Sequence, residues 1–178
     1  TVKSMFSVKS DLSLENPTIK AHEKNARGFE IIQKYMERNY AVPKDFVKYN
    51  YVSQLLQARG MQIAIEAHRR AKPYNMGTLY WQLNDCWPAP TWSSIDYHGN
   101  WKALHYAMRE DYQPVAILQK TMDNGEVQLY VKSDVMENQF LGCKILLYNV
   151  SWGERGLSPL QVDGNVSLAY QESKMIWS

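Results

Sequence analysis

A chain of 178 residues has room for one ordinary domain, or for one and part of another. Its 45% hydrophobic and 21% charged residues make a globular composition, and a net charge of +2 leaves no electrostatic footprint for nucleic acid. No run of about 18 apolar residues exists to span a bilayer as a helix, and the start, TVKSMFSVKSDL, lacks the unbroken apolar core of a signal peptide. It also begins without methionine, as a piece cut from a longer chain would. Cys86 and Cys143 lie far apart without metal-ligand spacing, so they read as two free thiols, and no metal or cofactor is implied.

The first half reads as helical. Residues 18–38 place Ile19, Phe29, Ile32, Tyr35 and Met36 near one stripe, weakened by Gly28 in the middle. From Asp45 to Ala71 a second helix is expected, with Val52, Leu55, Leu56, Ile63 and Ala67 at helical steps and Asp45 as its cap. Its terminal His68-Arg69-Arg70 suits the negative end of the helix dipole. Pro73 ends it. Met76 to Leu83 is then a short apolar run with Thr, Tyr and Trp, the pattern of a buried strand. Asn84 to Asn100 reads as a long loop, and Trp101 to Glu110 returns to helical spacing, a rhythm typical of α/β units.

After Pro114 the character changes to short strands: 114–120, 125–134, 141–152 and 165–177. Turn signals at Asp123-Asn124-Gly125 and Asp163-Gly164-Asn165 separate them, and Glu126–Val131 alternates as a half-buried strand does. Strands at this spacing indicate a β-sandwich. The roughly 65 residues fall short of the ~100 of an immunoglobulin-like fold, so the sandwich reads as partial.

Four of the six tryptophans, Trp81, Trp87, Trp92 and Trp101, fall within residues 81–101. Indoles are large and each has an N–H to satisfy, so such a cluster needs a packing reason or a ligand. Strand alternation sends Leu79, Trp81 and Leu83 to one face. A flat indole beside Asn84 and Asp85 suits a sugar, the ring taking the C–H face and the side chains the hydroxyls. Trp87, Trp92 and Trp101 either plug the end of the fold or extend such a site. The candidate substrate-binding residues are therefore Trp81, Asn84, Asp85 and Trp87.

The stretch Met76-Gly-Thr-Leu-Tyr-Trp-Gln-Leu-Asn-Asp-Cys-Trp-Pro88, followed by Trp92-Ser-Ser-Ile-Asp-Tyr-His-Gly-Asn-Trp-Lys-Ala-Leu-His-Tyr106, closely resembles β-mannosidases of glycoside hydrolase family 2. Tyr51–Ala58 and Glu66–Arg70 also look like that family, and the likeness covers roughly residues 11–115. It implies an α/β plus β chain: the C-terminal portion of a (β/α)8 TIM barrel in residues 1–112, then part of an immunoglobulin-like β-sandwich in 113–178. Met76–Leu83 would be the eighth barrel strand and Asp45–Ala71 the seventh helix, with a cis peptide at Trp81-Gln82.

The implied parent activity is retaining hydrolysis of terminal, non-reducing β-D-mannose by two glutamates. The family places the acid/base after an Asn and the nucleophile in a Ser-Glu-Phe-Gly-like motif. This sequence has no Asn-Glu and no Glu-Phe pair, so both carboxylates are expected upstream and none of its own residues is assigned a catalytic role. The implied partners are a mannoside or oligosaccharide and the upstream domains of the same enzyme, with no nucleic acid and no membrane. The competing reading is a non-catalytic carbohydrate-binding module. It would spread tryptophans over the sandwich, where only Trp152 and Trp177 occur.

Overall fold

The computed structural model describes residues 12–147, 160–170 and 172–178. The chain is mixed helix and sheet, and it divides into two compact units. The first takes the residues up to Glu66 together with Gly77–Gln113; the second takes Ala67–Met76 and Pro114–Ser178. No helix among the described residues is long and apolar enough to cross a membrane.

In the first unit, the helix expected over 18–38 is two helices, α1 (Pro17–Ala21) and α2 (Gly28–Asn39). Asn16 caps α1 through a 2.9 Å bond from Thr18 N–H, with Pro17 in the first turn where its missing N–H costs nothing. The break comes from Glu23, whose carboxylate turns back to accept the Phe29 N–H at 2.8 Å. A Cβ on Gly28 would stand 2.8 Å from that same oxygen, so the glycine that weakens the pattern is where the second helix can begin.

The next helix, α3 (Phe46–Arg70), lies where the periodicity puts it. Asp45 caps it, accepting from Lys48 N–H at 2.9 Å. Ile63 differs from expectation: it is 52% exposed, while Ile65 is fully buried. Both faces of α3 carry apolar residues. The Ile65 face meets α4 (Ala103–Asp111), where Ile65, Leu104 and Met108 form a core joined by Met61, Tyr80 and Ala107.

Met76–Leu83 is not the buried strand its composition suggests. It forms no strand among the described residues, with bends at Trp81 and Leu83, and Leu79, Trp81 and Leu83 are 100%, 75% and 54% exposed. Hydrophobic composition calls for a sheet around this segment, but a strand also needs neighbours to receive its N–H and C=O groups. The peptides at Lys72-Pro73 and Trp81-Gln82 are cis.

The second unit holds two antiparallel sheets. One has the order β1 (Val115–Thr121), β2 (Val127–Ser133), β5 (Ser173–Trp177), and the other pairs β3 (Gln139–Leu147) with β4 (Leu160–Leu168). Gly125, at φ +84°, makes the tight β1–β2 turn, which Met122 N–H closes by donating to Glu126 O at 2.8 Å. The sheets meet face to face: Val131, Val115 and Ile176 pack on Val166, Leu168, Leu141 and Cys143.

Two sequence expectations are corrected here. Asp163-Gly164-Asn165 lies inside β4 rather than in a turn, because it pairs with Lys144, Cys143 and Gly142 and sets Asp163 opposite Lys144. The run 165–177 is the end of β4 and then β5, with a turn between them closed by Glu172 N–H to Ala169 O at 3.1 Å. The part of the expected third strand beyond residue 147 lies outside the described residues.

Beneath this unit's first sheet sits a charge cluster. Asp134 receives Arg69 Nη2 at 2.8 Å, Lys72 Nζ, and Lys132 Nζ at 3.2 Å. Lys132 is completely buried and also donates to Ser133 O at 2.6 Å.

Candidate functional site

The loop 84–100 is built on two buried carboxylates. Asp96 makes its tight end: it accepts from His98 N–H and Asn100 N–H, each at 2.9 Å, and Gly99 turns the chain at φ +83°. Asp85 organises the other half. Its oxygens accept from Thr91 Oγ1 and Ser93 Oγ, both at 2.6 Å, and from Lys102 Nζ and Gln82 Nε2 at 3.4 Å. With a side chain 1% exposed, Asp85 lies under the loop rather than on its surface. Burial lowers the Lys102 pKa, and the Asp85 carboxylate works against that shift.

Ser94, also fully buried, ties the loop to the segment 76–83. Its N–H donates to Gln82 O at 3.0 Å, and Ile95 N–H donates to Leu83 O at 2.8 Å. Its hydroxyl lies 3.0 Å from Leu83 O, 2.9 Å from Tyr80 OH and 3.0 Å from His105 Nδ1.

Of the four residues singled out by sequence, Trp81 and Asn84 are exposed and three positions apart on one anchored segment. Asp85 is buried beneath them. Trp87 is 37% exposed, with His22 stacked on it at 4.2 Å and 12° and Lys24 Nζ 4.8 Å from its ring centre. His22 Nδ1 contacts Pro88 O at 2.5 Å, which holds that stack. Cys86, between Asp85 and Trp87, is exposed.

Trp92 and Trp101 are 37% and 45% exposed, and Trp101 packs on His105 and Tyr106. Sequence reasoning passed over Ser93, Ser94, Lys102 and His105. Their signal was the run of small hydroxyl residues, Thr91, Ser93 and Ser94, in a loop dominated by tryptophans.

An open groove of about 910 Å³ runs between α2 and α3 and also touches Ala89–Trp92, Trp101 and Lys102. It is apolar, walled by residues such as Phe29, Ile32, Tyr35 and Leu56. Tyr49 lines it, 5% exposed, with a hydroxyl that finds no hydrogen-bond partner among the described residues. Burial first, and then the Glu37 charge, push the Tyr49 pKa up. Trp81, Asn84, Asp85 and Trp87 do not line this groove.

No family model matches the chain. β-Mannosidase A of Emericella nidulans is 34% identical over 126 residues, covering 65% of this chain and 13% of that protein. The Aspergillus oryzae β-mannosidase A is 36% identical over 113 residues, 58% of this chain and 12% of the relative. The chain is similar in sequence to a segment of these β-mannosidases.

It therefore spans only about an eighth of the length of the curated β-mannosidases it matches. Its fold matches a stretch of the β-D-mannosidase of Dictyoglomus thermophilum with a TM-score of 0.79 at 22% identity, over 98% of this chain and 21% of that one. The Amycolatopsis orientalis exo-chitosanase matches over 82% of the chain and 17% of its own length, with a TM-score of 0.64 at 18% identity.

Proposed function

We propose that the chain is part of a retaining β-mannosidase that removes terminal, non-reducing β-D-mannose, and that it supplies one wall of the mannose subsite. The catalytic glutamates belong to residues outside this chain. The observation that carries the reading is Trp81: an indole 75% exposed near the end of the apolar run 76–83, with exposed Asn84 three residues on. Exposing that much aromatic surface costs free energy unless something covers it. A pyranose covers it well, its C–H face on the ring and its hydroxyls toward Asn84. Asp85 supports this wall from beneath, and Trp87 borders it.

We assign residues 1–112 to the end of a (β/α)8 barrel, with Met76–Leu83 as its eighth strand and α3 as its seventh helix. Residues 113–178 are assigned to part of an immunoglobulin-like sandwich. The exposed apolar side chains of Leu79, Trp81 and Leu83 support the first assignment, because a barrel strand draws its neighbours from other parts of the barrel. The two facing antiparallel sheets support the second.

The test is hydrolysis of an aryl β-D-mannoside. The complete protein encoded around this segment is expected to turn it over, and residues 1–178 alone are not. Trp81→Ala in the complete protein should lower kcat/KM by about 30-fold or more, the loss of a buried aromatic contact of about 2 kcal/mol. A change within twofold, or no hydrolysis by the unaltered complete protein, overturns the reading.

A further inference from the structure

Ser94 has one hydroxyl proton and two lone pairs, and three groups surround its Oγ. Leu83 O can only accept, so the Ser94 proton goes there. Tyr80 OH and His105 Nδ1, at 2.9 and 3.0 Å, must then both donate to the serine oxygen. A tyrosine hydroxyl can do so in any case. The imidazole can do so only with a proton on Nδ1.

Two of the three groups bound by this hydroxyl, Tyr80 and Leu83, flank the exposed indole in the chain. Tyr80 precedes Trp81 and packs into the Ile65–Leu104–Met108 core; Leu83 lies two residues after it; His105 belongs to α4, next to Leu104 in that core. The Ser94 backbone adds a bond to Gln82 O and accepts Lys102 N–H at 2.9 Å. Both ends of the Trp81-Gln82 unit are therefore bound to one buried, fully saturated residue. Trp81 itself has little packing to hold it, being 75% exposed.

We propose that Ser94 is the positioning residue of the Trp81 subsite, fixing the chain on both sides of the indole with His105 held as its Nδ1–H donor. The proposal rests on the reading of Trp81 as a sugar wall for its functional consequence, but its geometry is testable without any sugar.

The 178-residue chain labelled with 5-fluorotryptophan gives a fluorine line for Trp81, assigned by its loss in Trp81→Phe. Ser94→Ala should broaden, split or shift that line while the other tryptophan lines stay in place. Tyr80→Phe should move it in the same sense and less. His105→Asn, whose amide can donate from the Nδ1 position, should keep the unaltered line, and His105→Leu should lose it. Nitrogen-15 spectra of the His105 ring should show the proton on Nδ1. An unmoved Trp81 line in Ser94→Ala, or a neutral His105 protonated on Nε2, overturns the proposal. If Ser94→Ala disturbs every line through misfolding, Tyr80→Phe and the His105 pair decide in the same terms.

In the complete protein, Tyr80→Phe should raise KM for the aryl mannoside by about fivefold with kcat little changed, the pattern of a lost ground-state binding geometry. Fluorine shifts as expected without mannoside hydrolysis by the unaltered protein would sink the proposed function and leave the positioning role standing. Hydrolysis with an unmoved fluorine line would do the reverse.

Discussion

Replacing Asp134 by Asn tests the charge cluster of the second unit. The carboxylate faces Arg69, Lys72 and Lys132, whose side chains are 6%, 11% and 0% exposed. Removing one partner of a buried ion pair costs about 3–5 kcal/mol, because the charges left behind stay desolvated. Asp134 is itself 34% exposed, so water screens part of the loss and brings it below that range, to about 2–3 kcal/mol. Asparagine keeps the shape and one accepting oxygen but turns the other into a donor, so the counter-charge and one acceptor for these cations are lost together.

Hydrogen–deuterium exchange of the β2 amides reads the effect directly. Their opening should accelerate by about 30- to 150-fold at one factor of ten per 1.36 kcal/mol. The additional change Lys132→Met should recover part of that, since the most deeply buried of the three cations is then gone. Acid supplies a second readout. Burial pushes the Asp134 pKa up, but hydrogen bonds from Lys72 and Lys132 and the Arg69 charge outweigh it and hold the group below its ordinary value. A folded pKa below the unfolded one means that the unfolded state binds more protons in that window. The stabilisation is thus complete above about pH 4, the unfolded value, and is lost as pH falls through the folded one. Protection of the β2 amides, taken against their intrinsic exchange rate at each pH, should fall in the original chain over that acid range, and the Asp134→Asn variant should lack this component. β2 exchange within twofold of the original at neutral pH would refute the argument.

The Trp loop offers further tests. Asp85→Ala strands the Lys102 ammonium, 14% exposed, among hydroxyls, and should destabilise the first unit by about 3 kcal/mol in urea titration. Adding Lys102→Met should return much of it, and an unchanged double variant would count against the pairing. Gly99→Ala meets nothing within 4 Å, so its cost is that of a positive φ alone, about 1 kcal/mol; a neutral result would mean that this turn relaxes. Ile65→Ala should cost about 2–5 kcal/mol and Ile63→Ala far less in the same titration, because only Ile65 is packed.

Local chemistry was readable wherever it acts over a few residues. Asp45 capping α3 and Asp123-Asn124-Gly125 turning between β1 and β2 need only their own neighbours, and both stand where the pattern puts them. What the sequence concealed depends on distant partners. Asp163-Gly164-Asn165 has the composition of a turn, but pairing with β3 overrides it. Glu23 breaks a helix through one bond six residues ahead, which no periodicity records. Met76–Leu83 has the composition of a strand, and composition cannot supply a ladder. At the candidate site the exposed Trp81 and Asn84 were legible as chemistry. The carboxylate of Asp85 was legible as a polar group, but its burial beneath Thr91, Ser93 and Lys102 follows from a loop conformation that sequence spacing does not encode.

The exposed thiol of Cys86 gives this loop a built-in handle. It follows the buried Asp85 and precedes the half-buried Trp87, whereas Cys143 is less accessible on β3. A thiol-reactive dye under brief, limiting conditions would thus attach first at the loop. There it would sit one residue from an indole able to quench it by contact. Its brightness would follow the fastening of the loop in real time, without any introduced residue, and would register the release of Asp85 or a sugar settling beside Trp81.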